Sequence, residues 1–196
     1  MWEFGCAAPS FEVAVIAASH MTRLAQEISE GVILGRLDGA DVVYLHLVEG
    51  PQAVRVHASV GDRIPVHCTS TGLALLASLP NKDVDARLPT RLRAITPATL
   101  TGREELFREL ERIRSRGYSV NRGGWRIDVG GASVAVIAAN GAPLGAVCVA
   151  VPLYRMTKAW LKRVCPKLEA AADRIGKAVV AAQTSEDTPV ARRRRA

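Results

Sequence analysis

The stretch VILGRLDGADVVYLHLVE, residues 32–49, decides the fold class. Its two apolar runs, Val32–Leu37 and Val42–Glu49, are of the length and composition typical of β-strands. Asp38-Gly39 lies between them, and these residue types tolerate the positive φ that a tight hairpin turn requires. The stretch therefore predicts a pair of antiparallel strands.

More strands are predicted on both sides of a central helical region. In the first, apolar and polar residues alternate, and the last two are joined by Asn140-Gly141, another hairpin signal. The predicted strands are Ala53–Val60, Tyr118–Val120, Trp125–Val129, Val134–Ala139 and Leu144–Val151.

Helical spacing of apolar residues predicts helices before, between and after these strands. Asn81 is expected to cap its helix, Thr101 and Glu104 fit a capping box, Gly117 suits a helix end, and Pro166 is expected to kink the last helix or mark a late start. Hairpins combined with helices predict an α+β fold. The predicted helices are Phe11–Glu30, Gly72–Leu79, Asn81–Leu88, Thr101–Gly117 and Thr157–Gln183.

The composition is that of one globular domain with a net positive charge. The chain has 196 residues, of which 48% are hydrophobic, and a formal net charge of +7. A basic chain suits an acidic partner such as DNA or an anionic ligand, but on charge alone many surface arginines on an ordinary domain are the favoured explanation. From Thr184 onward the sequence is polar and then rich in arginine, which predicts a disordered basic tail over residues 184–196.

The cysteines and the apolar runs indicate a cytoplasmic location. Cys6, Cys68, Cys148 and Cys165 are widely spaced and form no C-x-x-C pair, which argues against a disulfide framework. No basic region followed by an apolar run opens the sequence, so no signal peptide is predicted. The apolar runs are too short to span a bilayer.

The stretch VHCTSTGLALLASLP, residues 66–80, offers several kinds of site. His67 and Cys68 are adjacent, so their side chains are expected to diverge rather than form a nucleophile and its base. Thr69, Ser70 and Thr71 precede a helix whose first amides lack partners within the helix, and such an end can bind a carboxylate. Simple capping of the helix by Thr69 or Ser70 is the plainer alternative.

Two other groups of residues are candidate sites. A zinc site built from His46, His57, His67 and Cys68 is less favoured than ordinary structural or surface histidines. The cluster from Asn121 to Arg126 combines two glycines with arginine and tryptophan, which could close over an anionic or aromatic ligand or form only an exposed turn.

Taken in order, several segments resemble the effector-binding domain of IclR-family bacterial transcriptional regulators. They are RLDGADVVYLHLVEG (36–50), VRVHASVGDRIPVHCTSTGLALLA (54–77), ITPATLT (95–101), ELERIRSRGYSV (109–120) and APLGAVCVAVP (142–152). The resemblance implies a GAF/profilin-like fold, in which a curved antiparallel sheet of about six strands has helices on both sides. It places the effector-binding domain at residues 11–183 and makes residues 1–10 the remnant of a linker. The family's N-terminal winged helix-turn-helix is expected to be absent, with Trp2–Gly5 resembling its end.

The resemblance also implies a ligand pocket on one face of the sheet. The carboxylate of the ligand is expected at Ser70 and Thr71, and Asn121, Cys148 and Ala150 stand where the family has acidic or hydroxyl residues. Loss of those polar partners predicts a larger or more apolar effector, such as an aromatic acid. The implied ligand-binding residues are Ala53, Val56, Ile64, Ser70, Thr71, Asn121, Val129, Gly131, Cys148 and Ala150.

The favoured function is a ligand sensor. An organic acid is expected to bind a homodimer or homotetramer and to change how attached DNA-binding domains meet operator DNA. No catalytic residue, cofactor, metal or membrane partner is expected. The alternatives are an enzyme that uses Cys68 or Cys148, and a partner that forms mixed oligomers with full-length regulators.

Overall fold

The structure is a computed structural model of the chain, and it describes the backbone of residues 8–186 and the side chains of residues 12–183. Its helices are α1 (Ala8–Ile28), α2 (Ser70–Ala77), α3 (Asn81–Arg87), α4 (Arg103–Arg116) and α5 (Lys158–Glu186). Its strands are β1 (Val32–Asp38), β2 (Asp41–Val48), β3 (Arg63–Pro65), β4 (Ser119–Arg122), β5 (Val129–Ile137) and β6 (Pro143–Pro152). Short 3-10 turns cover Val66–Cys68 and Leu153–Arg155.

The six strands form one antiparallel sheet in the order β3-β2-β1-β6-β5-β4. Both predicted hairpins are present, with Gly39 at φ +61° between β1 and β2 and Gly141 at φ +82° between β5 and β6. In the middle of the sheet β1 pairs with β6, and Ile33 lies opposite Cys148. The α+β prediction, including an antiparallel sheet with helices on both sides, is confirmed.

One face of the sheet is covered by the two long helices, α1 and α5. Their buried side chains recur every three or four residues, which is the spacing of an amphipathic helix. They pack against alternate residues of β1, β5 and β6, since successive side chains of a strand point to opposite faces. The buried helix residues are Val13, Ala17, Met21, Leu24 and Ile28 of α1 and Val164, Leu168, Ala171, Ile175 and Val179 of α5.

The other face carries α2, which α4 covers in turn. All eight residues of α2 are buried, so this helix lies between the sheet and α4. Thr69 caps it, because its Oγ1 accepts a hydrogen bond from the amide of Gly72 at 3.0 Å. Gly72 is required here by close approach, since a Cβ at this position would overlap the carbonyl oxygen of Val66.

The predicted strand Ala53–Val60 is wrong. The chain runs there as an irregular loop, and the edge strand is β3, which pairs with residues 41–43 of β2. The apolar and polar alternation that suggested a strand is not followed by burial throughout, since Val56 and Ala58 are half-buried but Val54 is 59% exposed. The loop ends in a turn that the Asp62 carboxylate closes by accepting the amide of Ser59 at 2.8 Å.

The predicted strand Trp125–Val129 is also wrong. Residues 123–128 form a turn, the β4–β5 turn, and β5 begins only at Val129. Gly123 has φ +76°, and its amide donates to the carbonyl of Val129 at 2.8 Å, which reverses the chain within a few residues.

Two of the predicted helix caps are wrong, although α3 does begin at Asn81, and one predicted helix end is confirmed. No side chain caps α3 or α4, so neither the Asn81 cap nor the Thr101 capping box forms. Helix α4 starts one residue later than a box at Thr101 requires, with Gly102 at its N-cap. Gly117 ends α4 in the left-handed conformation, at φ +85°.

The predicted boundaries at the two ends lie at the margin of the described residues. Helix α5 contains Pro166 and extends to Glu186, so residues 184–186 of the predicted tail have a helical backbone. The rest of that tail, the segment Trp2–Gly5, and Cys6 lie outside the described residues.

Candidate functional site

A hollow lies between the sheet and the loop that joins β2 to β3, residues 49–62, here called the β2–β3 loop. It consists of a larger lobe of about 180 Å³ and a smaller lobe of about 80 Å³. Both lobes share five wall residues from the loop and the two central strands: Ile33, Val56, His57, Ala58 and Ala150. The larger lobe is completed by Tyr44, Asp62, Arg63, Ile64, Trp125 and Arg126.

The pleat of the strands and the length of α2 place the hollow. Cys148 and Ala150 are two residues apart on β6 and therefore share the face of the sheet on which α2 lies. The start of α2 covers this face at Cys148, where the Ser70 Oγ lies 3.5 Å from the Cys148 Sγ. At Ala150 the helix no longer covers the sheet, and the β2–β3 loop closes the space instead.

Val56, Ile64 and Ala150 are the predicted site residues that line the hollow. Val56 comes from the β2–β3 loop, Ile64 from β3 and Ala150 from β6, so the fold brings together residues that are far apart in the sequence. Their side chains are apolar, which suits the wall of a pocket for an apolar molecule.

Four other predicted residues lie together at the start of α2, beside the hollow but outside its lining. Ser70 and Thr71 are 4% and 0% exposed. Gly131 is packed so closely on Ser70 that a Cβ there would lie 2.8 Å from the Ser70 Oγ. With Cys148 at 3.5 Å from the same oxygen, this end of α2 is closed against the sheet.

Two serines from the sheet complete this closed cluster. Ser133 on β5 donates a hydrogen bond to the Ser70 Oγ at 3.1 Å. Ser119 on β4 donates to the main-chain carbonyl of Ser70 at 2.6 Å. The hydroxyl and the main-chain carbonyl of Ser70 are therefore both engaged by the sheet.

The structure does not bring the remaining predicted residues to the hollow. Ala53 is exposed at the start of the β2–β3 loop. The side chain of Asn121 accepts the amide of Gly124 at 2.9 Å and so helps to shape the β4–β5 turn. Val129 is half-buried at the start of β5.

Sequence reasoning missed most of the polar side chains of the larger lobe, including Tyr44, Asp62 and Arg63. Trp125 and Arg126 belong to the cluster that was weighed as a ligand-closing turn, and both line this lobe. Tyr44 had a detectable signal, since it alternates with outward-facing residues in a predicted strand.

The β4–β5 turn that carries Trp125 and Arg126 is held in place by a neighbouring loop. The Thr96 Oγ1 donates to the carbonyl of Gly123 at 2.6 Å, and the Thr99 Oγ1 donates to the carbonyl of Gly124 at 2.7 Å. Two hydrogen bonds to successive carbonyls fix the wall that the turn supplies to the hollow.

Two polar groups of the larger lobe are suited to hold an anion. Burial raises the pKa of Tyr44 well above its usual value, and the charge of Asp62 acts in the same direction, so its hydroxyl remains a hydrogen-bond donor. Among the described residues, the guanidinium of Arg126 makes one hydrogen bond, from Nη1 to the carbonyl of His57 at 3.4 Å, and keeps further donors. Arg63, by contrast, is engaged with Asp38 at 2.6 Å.

The expectation that His67 and Cys68 diverge is wrong. In the 3-10 turn the Cys68 Sγ lies 3.4 Å from the His67 Nε2. That nitrogen also lies 3.0 Å from the carbonyl oxygen of Arg93, which can only accept, so Nε2 carries its proton and cannot take one from the thiol. Burial raises the pKa of the Cys68 thiol to about 12, which is unsuitable for a nucleophile.

Within residues 8–186, no three His, Cys, Asp or Glu side chains are grouped so that they could hold a metal ion. None of the helices in this part of the chain is long and apolar enough to cross a membrane.

The chain matches the model of the family described as "Bacterial transcriptional regulator IclR C-terminal" over residues 6–177. It is 37% identical over 166 residues to "Probable transcriptional regulator SauR" of Cupriavidus necator, covering 82% of this chain but only 65% of that protein.

Solved structures of the same family share the fold. The IclR protein of Thermotoga maritima has a TM-score of 0.82 and 28% identity, covering 86% of this chain and 68% of that one. The inducer-binding domain of PobR from Acinetobacter, solved as a double mutant in complex with 3-hydroxybenzoic acid, has a TM-score of 0.75 and 26% identity, covering 83% of this chain and 96% of that one.

These relatives are transcriptional regulators and not enzymes. The family match, the shared fold and the identity to a regulator agree over nearly all of the described residues. The chain therefore belongs to the IclR family of bacterial transcriptional regulators, and it contains the effector-binding C-terminal domain of that family.

Proposed function

We propose that the hollow binds a small organic acid, aromatic or otherwise apolar, and that its occupation controls DNA binding through rearrangement of a homodimer or homotetramer. The observation that carries this proposal is the composition of the hollow. Apolar walls from Ile33, Val56 and Ala150 face two polar donors, Tyr44 and Arg126, at one end. Ligand sites commonly combine an apolar lining with a few polar groups that fix orientation.

The volume of the hollow limits the size of the effector. Its lobes, about 180 and 80 Å³, are below the roughly 300–1,000 Å³ typical of pockets for drug-sized ligands. A single aromatic ring with a carboxylate suits such a space. The complex of the related PobR domain with 3-hydroxybenzoic acid supports this class of ligand.

The carboxylate is assigned to Arg126 rather than to the amides of Ser70 and Thr71. Arg126 lines the larger lobe and retains free donors, whereas Ser133 and Cys148 close the start of α2. A planar guanidinium binds a carboxylate through two parallel hydrogen bonds. Tyr44 is then placed to donate to a second oxygen of the ligand.

Titration calorimetry of this chain with 3-hydroxybenzoate, benzoate and glyoxylate tests the proposal. We expect 3-hydroxybenzoate to bind more tightly than glyoxylate, and Arg126→Gln to weaken its binding about 10- to 100-fold, since a hydrogen bond to a charged group contributes about 1.5–3 kcal/mol. Arg112→Gln is the matched control, because Arg112 is exposed and pairs only with Glu109 on its own helix.

Two outcomes contradict the proposal. A preference for glyoxylate would mean that the hollow selects small polar acids. Unchanged affinity in Arg126→Gln, together with a loss in a Ser70→Ala variant, would place the carboxylate at the start of α2.

The control of DNA binding is the part of the proposal that concerns the whole protein. IclR-family regulators bind small-molecule effectors and act as oligomers. A ligand can shift such an assembly only by as much as its affinity differs between the two arrangements. The chain spans 65% of SauR, so DNA binding is proposed for an assembly that includes DNA-binding domains.

A further inference from the structure

The last turn of α1 is held by side chains from other elements. The carbonyl of Glu27 accepts a hydrogen bond from the Lys167 Nζ at 3.1 Å, and the carbonyl of Ile28 accepts one from the Arg163 Nη1 at 3.3 Å. Both donors belong to α5. Basic side chains at the C-terminal end of a helix satisfy its free carbonyls and oppose the negative end of its dipole.

The β2–β3 loop joins the same place. The Gln52 Nε2 donates to the carbonyl of Ser29 at 3.2 Å, and Ser29 itself has φ +57° as the chain leaves α1. The contact connects the loop that covers the hollow with the residue that ends α1.

Arg155, in the 3-10 turn after β6, connects the loop and the end of α1 a second time. Its Nη1 donates to the Gln52 Oε1 at 3.3 Å, and its Nη2 donates to the carbonyl of Val54 at 2.5 Å. Its Nε lies 3.3 Å from the Glu30 Oε1, an ion pair whose angle does not make a hydrogen bond. The Glu30 side chain is 6% exposed, so its charge depends on protein partners rather than on water.

The smaller lobe of the hollow reaches this junction directly. Gly31 and Gly50 both line that lobe. A Cβ on Gly50 would lie 2.5 Å from the carbonyl carbon of Glu30, so the two backbones are in tight contact. A shift of the β2–β3 loop at Gly50 therefore moves against residues 30 and 31 with no intervening space.

We propose that Arg155 is a positioning residue that ties the β2–β3 loop to the C-terminal end of α1, so that occupation of the hollow changes the last turn of that helix. This inference rests on the proposed function, since it concerns how the same site acts on the rest of the domain. Arg155 does not line the hollow, and its effect on a ligand passes through Val54 and Gln52.

Hydrogen exchange measured by mass spectrometry on the whole chain, without any ligand, tests whether Arg155 couples the β2–β3 loop to the C-terminal end of α1. In Arg155→Gln we expect exchange to rise in both residues 25–31 and residues 52–58, with the larger change in the helical residues 25–28, while residues 106–113 of α4 keep their protection. The matched control is Arg103→Gln, whose guanidinium likewise contacts a carboxylate and carbonyls, those of Asp85 and Pro89, far from the hollow. It is expected to change neither segment.

A double variant, Glu30→Gln with Arg155→Gln, guards against a folding defect caused by an unpaired buried carboxylate. The double variant lacks that charge and also lacks the contacts of Arg155 with the loop and Glu30. The same two segments are therefore expected to exchange faster. The proposal is overturned if either folded variant loosens the loop alone and leaves residues 25–31 as protected as in the unmodified chain.

Adding 3-hydroxybenzoate as the probe separates this inference from the proposed function. In the unmodified chain the probe is expected to protect residues 52–58 and to change exchange in residues 25–31, and in the double variant only the first effect is expected to remain. An α1 response that persists in the double variant overturns the role of Arg155. If the probe does not bind the unmodified chain, the proposed effector class is contradicted. The comparison without ligand still tests the role of Arg155.

Discussion

At the scale of single residues, the contrast between Arg126 and Arg63 defines the polar end of the hollow. Both line the larger lobe, but the Arg63 guanidinium is engaged by the Asp38 carboxylate at 2.6 Å and also lies 3.5 Å from Asp41. Arg126 contacts only a main-chain carbonyl among the described residues. An incoming carboxylate can therefore take hydrogen bonds from Arg126 that are not already made to an acidic side chain, and Coulomb attraction favours it there.

The cysteines of the core are expected to be inert, and this prediction follows from their burial. Burial raises the pKa of Cys68 to about 12 and that of Cys165 to about 11. Because the thiolate is the reactive form and a raised pKa keeps the thiol protonated, the fraction of thiolate at pH 7 to 8 is very small. Alkylation of Cys68 by iodoacetamide, followed by mass spectrometry, should be at least about 100-fold slower in the folded chain than in urea.

The unfolded chain provides the control, since there both thiols return to an ordinary pKa. Rapid modification of Cys68 in the folded chain at neutral pH would contradict the raised pKa. It would also reopen the alternative of a reactive thiol beside His67.

At the scale of elements, the turns that depend on glycine were predictable, whereas the features set by tertiary contacts were not. Both hairpins depend on glycines that tolerate positive φ, and both are present at Gly39 and Gly141. The left-handed end of α4 at Gly117 is equally local. Residues 53–60 were read as a strand because their alternation of apolar and polar residues is the same whether they pair with a strand or cover a hollow.

The residues of the candidate site show the same difference between what the sequence predicts and what tertiary contacts determine. Val56, Ile64 and Ala150 were predicted from the resemblance and line the hollow. The start of α2 was predicted as the anion site, but the serines that close it, Ser119 and Ser133, are far away in the sequence. No local pattern shows that a helix end which looks available is covered by two other strands.

At position 72, a contact between two elements determines that the residue is glycine. This leads to a prediction about stability. Replacing glycine by alanine inside a helix normally stabilises it, because alanine has the higher helix propensity. At Gly72 the added Cβ would overlap the carbonyl oxygen of Val66 in the preceding 3-10 turn. We therefore expect Gly72→Ala to lower the free energy of unfolding by about 1–3 kcal/mol, the cost of overpacking.

Urea unfolding followed by circular dichroism measures this change. Gly102→Ala is the matched control at the start of α4, where the nearest atom to an added Cβ is 3.7 Å away. There only the weaker N-cap preference of alanine applies, and the loss should be about 0.5 kcal/mol. Equal effects of the two substitutions would show that α2 can shift away from Val66 at little cost.

At the scale of the whole molecule, the sheet separates the hollow from the two long helices. The β2–β3 loop and α2 lie on the side of the hollow, whereas α1 and α5 pack on the other face. Beside the sheet, the β2–β3 loop at Gly50 directly contacts Glu30 and Gly31, the residues that follow α1.

Family members act as oligomers, and the exposed side of α1 is a candidate interface between copies of the chain. Val15 is 59% exposed, and residues 13–19 carry no acidic or basic side chain. An uncharged helix face suits the central part of an interface between copies, from which charged residues are usually depleted. The proposed dimer or tetramer is therefore expected to use the first half of α1.

Substituting glutamate at Val15 places a charge in the centre of this face and should dissociate the assembly. Thr22→Glu is the control, because Thr22 is also exposed on α1 but lies near Arg23 and Glu27, where the surface is already charged. Sedimentation velocity should show a dimer or larger species for the unmodified chain and for Thr22→Glu, and a smaller species for Val15→Glu. Because Val15 is outside the core, the two variants should unfold at nearly the same urea concentration. A monomeric unmodified chain, or an assembly that Val15→Glu leaves intact, would show that the copies do not meet at this face.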